Sequence, residues 1–387
     1  MKKKVIVLGN GLVGSVMALD MAADDAYEVT VCDSNVASLE ATRKKSQNRV
    51  TVRSDVDFAS AAAITDAVKG FDLCIGAVPG FLGYNMLGAV IEAGVNISDI
   101  SFMPEDFRGW DEKAKKKGVV AYEDAGVAPG ASSILINYAC KCMDEVEKAI
   151  YYVGGLPIEP EPPFNYKVVF SADDVIEEYV RPARFKKNGK IETVPALSNC
   201  EVFDFDVPGV KLPKMEGFFT DGCRTLLETI PSPNVIEYTL RYPGTARDLE
   251  FLRSIGLFDN TPVKVKGVTV SPRDVFGHFA YPMMKLREDE KDFTFFHIEV
   301  TGRKGGKKVQ HTFSLYDEKD MKTGYPSMSR TTGFTCVIVG RMIAEGILKD
   351  VGVNPPEFVG NNPKAVEFLL SELKKRNVIV TQSTKEL

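Results

Sequence analysis

The feature that most constrains this chain is Gly9-Asn10-Gly11-Leu12-Val13-Gly14, a G-x-G-x-x-G run directly behind the apolar stretch Val5-Ile6-Val7-Leu8. It follows a strand pattern and opens a helical one, the context in which the spacing carries meaning. Gly9 permits a tight turn, Gly11 lets the backbone approach a pyrophosphate, and Gly14 lets the helix pack closely on the strand. The helix start then offers unpaired N–H groups and the positive end of its dipole to phosphate. Asp33 follows about 20 residues later, at the end of the next apolar run. A carboxylate there accepts hydrogen bonds from both ribose hydroxyls of NAD and repels a 2′-phosphate. Ser34 comes next, not arginine, so a 2′-phosphate is offered no partner. These residues point to NAD, held by Gly9, Gly11, Leu12, Val13, Gly14, Asp33 and Ser34.

The same alternation continues to residue 125. Runs at Val5–Leu8, Glu28–Cys32, Val50–Arg53, Leu73–Val78, Val95–Ile100 and Val119–Tyr122 alternate with amphipathic stretches at 12–23, 35–46, 57–69, 81–93 and 104–117. Strand, helix, strand at this spacing means parallel pairing with right-handed crossovers. The spacing predicts an α/β domain over 1–125, a doubly wound parallel sheet of the Rossmann type. Asp55 closes the third run and is a candidate for the adenine end of the cofactor. Ala77-Val78-Pro79 closes the fourth, a small-residue loop able to lie against the pyrophosphate and nicotinamide ribose.

Beyond residue 125 the pattern changes. Strand-like runs at Lys148–Tyr152, Asn165–Phe170, Ile191–Val194, Val235–Tyr242, Pro262–Val270, Thr294–Thr301 and Lys308–Leu315 are separated by prolines and glycines. Arg303-Lys304-Gly305-Gly306-Lys307 between the last two is a hairpin signal. The expectation is a second α+β domain over 126–326, built on a largely antiparallel sheet. Helical patterns at 327–348 and 363–376 predict a C-terminal part, 327–387, that packs back on the first domain.

Composition narrows the function. With 48 basic against 53 acidic residues the net charge is −5, so no nucleic-acid partner is expected. No stretch nears about 20 apolar residues, so no membrane span is expected. The run after Met-Lys-Lys-Lys is too short for a secretion signal, which predicts a cytoplasmic protein. The seven cysteines are scattered, and no metal site is expected. There is no G-x-S-x-G, Walker A or H-E-x-x-H pattern. Hydride transfer remains, with a small-molecule substrate positioned by the protein.

Candidates for handling that substrate lie on both domains. Asp99 and Ser101 follow the fifth run, and Glu123 and Asp124 follow the sixth. Asp99 or Asp124 is the expected proton acceptor. Tyr152 and Gly154 stand in the second domain with Arg224 and Arg241, natural bidentate partners of a carboxylate.

Several segments carry a resemblance. Gly126-Val127-Ala128-Pro129-Gly130, Tyr152-Val153-Gly154-Gly155-Leu156-Pro157 and Pro160-Glu161-Pro162-Pro163, with Arg241-Tyr242 and Gly244, and Met328-Ser329-Arg330, resemble the saccharopine dehydrogenase-like superfamily. Within it they are most similar to the L-lysine 6-dehydrogenases. The resemblance implies a homodimer that uses NAD to deaminate the ε-amine of L-lysine or a similar amino acid. The products it implies are ammonia and a semialdehyde that cyclises. Saccharopine reductases carry an acidic residue before the proline and a histidine shortly after; here stand Ala128 and Ser132/Ser133. That departure argues against saccharopine itself. The alternatives are a reductase of the saccharopine, opine or carboxynorspermidine type, forming a secondary amine, and a noncatalytic NAD-sensing protein.

Overall fold

The computed structural model describes residues 2–387. The first leg of the chain alternates β1 (Lys3–Leu8), α1 (Leu12–Ala22), β2 (Tyr27–Cys32), α2 (Val36–Lys45), β3 (Val50–Arg53), α3 (Ala61–Val68), β4 (Leu73–Gly76), α4 (Gly80–Ala93), β5 (Asn96–Asp99), α5 (Asp111–Lys117), β6 (Val120–Tyr122) and α6 (Ala131–Lys141). The second leg holds β7 (Glu145–Pro157), α7 (Ala172–Val180), β8 (Ala183–Lys187), β9 (Lys190–Val194), β10 (Glu201–Phe203), β11 (Met215–Phe218), α8 (Leu226–Thr229), β12 (Val235–Arg241) and α9 (Thr245–Ser254). It continues through β13 (Val263–Val265), β14 (Val268–Val270), α10 (Pro272–Met284), β15 (Asp292–Lys304) and β16 (Lys307–Glu318). The last leg is α11 (Ser327–Ala344), β17 (Gly352–Asn354), α12 (Pro363–Lys375) and β18 (Val380–Glu386).

Two compact units result, 1–141 with 328–379, and 142–327 with 380–387. The first is a seven-stranded sheet in the order β17-β6-β5-β4-β1-β2-β3, and every pair is parallel. The order reverses between β1 and β4, which is where such sheets open a crevice for ligands. Local chemistry sets the helix ends. Asn35 caps α2 by accepting the Ser38 N–H, and Ser60 caps α3 through Ala63. Gly94 ends α4 in the left-handed conformation. The apolar sides of α3, α4 and α5 close over one face of the sheet, with Ile64, Val68, Leu87, Val90 and Ala114 buried against Ile6, Leu8 and Ile97.

The second unit is a nine-stranded sheet whose main path runs β10-β11-β12-β7-β15-β16-β18, with β8 and β9 branching from β12. It is antiparallel throughout except for the parallel pair β12 and β7. The long hairpin of β15 and β16 turns at Gly305-Gly306, where the sequence places it. Three helices, α7, α9 and α10, cover part of this sheet, and their Val175, Ile176, Leu249, Phe276 and Ala280 share a core with Leu156, Phe218 and Phe295.

The expected strand at Asn165–Phe170 does not form. A single bridge joins Val168 to Lys285, while Tyr166 and Val169 are buried. The segment is anchored side by side with the end of α10, not paired along a strand. The run Pro262–Val270 folds as two short strands, not one, because Lys266 and Gly267 turn the chain with positive φ.

Candidate active site

Parallel register brings the carboxyl ends of the first unit's strands level. Leu8 stands opposite Cys32 and Gly76, and Gly76 opposite Asp99. Every residue the sequence singles out in this unit sits on or just past that edge. Gly9 turns with φ +102, and a Cβ there would strike the Ala77 carbonyl. A Cβ on Gly14 would strike the Gly9 carbonyl. Gly11 differs: it is the N-cap of α1, and a Cβ there would meet nothing within 4 Å. The open space lies directly before the helix N-terminus, the place a pyrophosphate occupies in such turns. Asn10, 1% exposed, ties the turn to α2. Its side chain donates to Ser38 (2.9 Å) and accepts from Thr42 (3.0 Å).

The Asp33 carboxylate accepts the backbone N–H of Asn10 (2.6 Å) and of Asn35 (2.8 Å). These bonds fix it at the end of β2. Ser34 beside it is exposed. On the next strand Arg53 is held by both oxygens of Asp55 (3.1 and 3.0 Å), and that guanidinium keeps the Asp55 carboxyl below its usual range. Ala77 joins the turn by donating its N–H to the Leu8 carbonyl (2.8 Å); Val78 is buried, and Pro79 caps α4. A nucleotide fits these residues: glycines where the backbone must approach, a fixed acid, and an open helix end.

Next to this cradle lies a cluster of buried acids. Asp99 and Glu123 are 0% exposed and Asp124 is 2% exposed. Ser98 pairs with Tyr122, so Asp99 and Glu123 end neighbouring strands at one level. Ser101 braces Asp99, its N–H on one carboxyl oxygen (3.0 Å) and its hydroxyl on the other (2.9 Å). Asp99 packs against Gly76, where a Cβ would strike its carboxyl. Burial pushes the Asp99 acid up to about 6; the Glu123 and Ser101 hydrogen bonds pull it down, and the Asp124 charge pushes it up again. Asp124 takes the left-handed conformation, φ +53, which aspartate enters more readily than most side chains.

In the second unit the candidates divide. Arg224 also has positive φ, +46, and faces Asp221 at 3.8 Å; Asp221 is gripped by Arg184 at 2.8 and 3.2 Å. Arg241 is engaged within its own unit. Its guanidinium donates to Tyr179 (3.1 Å), Leu240 (2.9 Å) and Glu178 (2.5 Å) and lies over the Tyr166 ring. Tyr152 stacks on Tyr238 with centroids 5.3 Å apart, and burial pushes its hydroxyl up to about 12. Gly154 lets Leu240 of β12 come close, since a Cβ would stand 2.9 Å from the leucine side chain.

This arrangement defines a dinucleotide-binding α/β protein with a cluster of buried acids beside the cofactor turn. The chain belongs to the saccharopine dehydrogenase family: the saccharopine dehydrogenase NADP binding domain matches residues 5–122, and the saccharopine dehydrogenase C-terminal domain matches 126–379. It is an enzyme, an oxidoreductase of that family. The saccharopine dehydrogenase [NADP(+), L-glutamate-forming] of Pyricularia oryzae is 23% identical over 97% of both chains. The carboxynorspermidine synthase of Vibrio cholerae is 23% identical over 93% of this chain and 94% of that one. Among solved structures, apo saccharopine dehydrogenase (L-Glu forming) from Saccharomyces cerevisiae superposes with a TM-score of 0.77 at 21% identity, covering 99% of this chain and 100% of the other; it shares the fold.

The turn geometry separates folding from nucleotide binding. Gly11→Val adds a side chain where nothing stands within 4 Å, at a residue with an ordinary φ of −73°. The thermal midpoint should stay within about 2 °C of wild type, while dinucleotide affinity falls by about 10-fold or more because the pyrophosphate space is filled. Calorimetric titration alongside thermal melts checks both.

Proposed function

We propose that this enzyme uses NAD to oxidise the ε-amine of L-lysine, or of an amino acid of similar shape, releasing ammonia. The observation that carries the reading is the buried trio Asp99, Glu123 and Asp124 beside the cofactor turn. A negative cluster attracts a substrate ammonium and repels an added carboxylate arm. No charged side chain stands at Ala128, Ser132 or Ser133 to receive such an arm, and both serines are buried. When bound between the glycine turn and Ala77-Val78-Pro79, a nicotinamide dinucleotide supplies a hydride acceptor.

The chain's own residues do the rest. An ammonium must lose a proton before its carbon can release hydride, and the Asp99 carboxylate, Glu123 behind it, accepts that proton. Ser101 holds the Asp99 oxygens in place. Once the carbon–nitrogen bond is an imine, water adds and ammonia leaves; Asp124 is the second acid able to move protons in that step. Arg224 and Arg241 are our candidates for the substrate α-carboxylate, since a guanidinium can grip it with two parallel hydrogen bonds. Asp33 supports NAD over NADP: its carboxylate is fixed where a 2′-phosphate would come, and the neighbouring Arg53 is bound by Asp55. The resemblance adds a homodimer to the proposal. The names of the relatives favour a second reading, in which the same acids serve a secondary amine, as in saccharopine or carboxynorspermidine.

A screen of NADH formation across basic amino acids, diamines and saccharopine, with ammonia measured in parallel, decides between the two. Lysine should exceed saccharopine in kcat/KM by roughly 10–100-fold, the value of a missing charge-assisted hydrogen bond. Turnover of saccharopine equal to that of lysine would favour the secondary-amine reading.

Asp99 sets the pH profile. Because the base form of Asp99 is the one that works, kcat/KM should climb as pH rises through about 6. Asp99→Asn should lose that limb and about 100-fold or more in rate. For the cofactor, the double substitution Asp33→Ser with Ser34→Arg should weaken NAD and improve NADP, read as the ratio of kcat/KM for the two. A wild-type preference for NADP would contradict the role given to Asp33.

A further inference from the structure

Another buried acid, in the second unit, belongs to none of these roles. Glu237 lies on β12 and is 3% exposed. One of its carboxyl oxygens meets the Thr220 hydroxyl at 2.8 Å, and the other meets the Thr239 hydroxyl at 2.8 Å. The two hydroxyls also meet each other, at 2.9 Å. This closed ring has three contacts, and the two threonines supply only two hydroxyl hydrogens. A carboxylate would leave one contact as two oxygens facing each other with no hydrogen between them. A carboxylic acid supplies the third hydrogen and satisfies the ring.

Thr220 is also the first residue of the turn that carries Asp221 and Arg224. The turn rests on the acid, for a Cβ on Gly222 would stand 2.8 Å from the Glu237 carboxyl carbon. Tyr151 also holds the turn by donating to the Gly222 carbonyl (2.7 Å), and Arg184 grips Asp221. We propose that Glu237 is carried as a neutral acid that locks the 220–224 turn, and that it acts as a positioning residue for Arg224. The part concerning Arg224 rests on the carboxylate-binding role proposed above; the lock itself does not.

The charged groups around the ring agree. Glu178 on α7 faces it and adds like charge, while Arg241, on the same strand, is occupied by Glu178. On the turn, Asp221 is paired with Arg184 and Arg224, and Cys223 is a buried thiol. Burial pushes Glu237 up to about 7, against the pull of the two threonines. An acid raised in the folded state stabilises the protein below its unfolded value and loses that contribution as pH rises through the folded one.

Glu237→Gln tests this, because an amide offers one acceptor and a donor and closes the same ring without a charge. Relative to the glutamine variant, the wild-type unfolding constant should rise on the order of 100-fold between about pH 4.5 and 7.5 and then level off. Hydrogen exchange of the 219–226 segment, compared between the two proteins at equal pH, should match at about pH 4.5 and be faster in wild type at about pH 8.5. Thr220→Val, which removes the turn's side of the ring, should exchange fast at both. With the amino-acid substrate, KM should rise several-fold above pH 7 in wild type and stay flat in the variant, with kcat following the Asp99 limb in both. Wild type and variant running parallel in stability and exchange would overturn the proposal. A pH-dependent lock with KM unchanged would overturn the link to Arg224. Absence of turnover in both proteins, with the exchange difference intact, would count against the proposed reaction and leave the lock supported.

Discussion

Parallel hydrogen bonding is the constraint on which the first unit depends. In a parallel ladder the rungs are evenly spaced, so β1, β2, β4 and β5 that start in register also finish in register. All their carboxyl ends then crowd one edge, and whatever follows each strand is forced into company there. The glycine turn, the Ala77 loop, Asp99 and Glu123 are neighbours for this reason alone. Crowding leaves no room for side chains, which is why Gly14 and Gly76 sit where a single carbon would strike a carbonyl or a carboxyl. Desolvation completes the effect, because acids brought together away from water cannot all ionise.

Much of the first unit was legible because each strand there ends in a recognisable turn residue. The fingerprint, the six apolar runs and four of the helices between them stand within a few residues of the positions read from sequence, while the stretch expected over 104–117 becomes α-helix only from Asp111. The second unit was less legible. The segments that become α7 and α10 carry capping serines, Ser171 and Ser271, each with an aspartate three residues on. That signal is there to read, but α10 also contains Gly277 and Pro282, which break the helical pattern. The short β17 has no pattern of its own; it is a strand because the edge of β6 is there to pair with.

The chemistry divides the same way. The sequence puts Asp99, Ser101 and Asp124 among the candidates, since they follow apolar runs. It says nothing of which acids come level with one another, for that follows from strand register. Arg224 and Arg241 look alike in sequence; their surroundings, Asp221 for the one and Tyr166, Tyr179 and Glu178 for the other, appear only in the fold. Glu237 had a signal, a lone acid inside the apolar run Val235–Tyr242. Its partner Thr220 is 17 residues away and could not be paired with it in advance.

The chain passes from the first unit to the second, back, and over again, at 141/142, 327/328 and 379/380. During synthesis at about 5–20 residues per second, a ribosome therefore releases neither unit until the last stretch emerges. The first waits for α11, β17 and α12, and the second for the strand that pairs with β16. Both must be held open together for most of translation. For anyone cutting the gene, no single pair of cloning boundaries yields either unit whole. Each would need a circular permutation or a linker that bridges the missing leg.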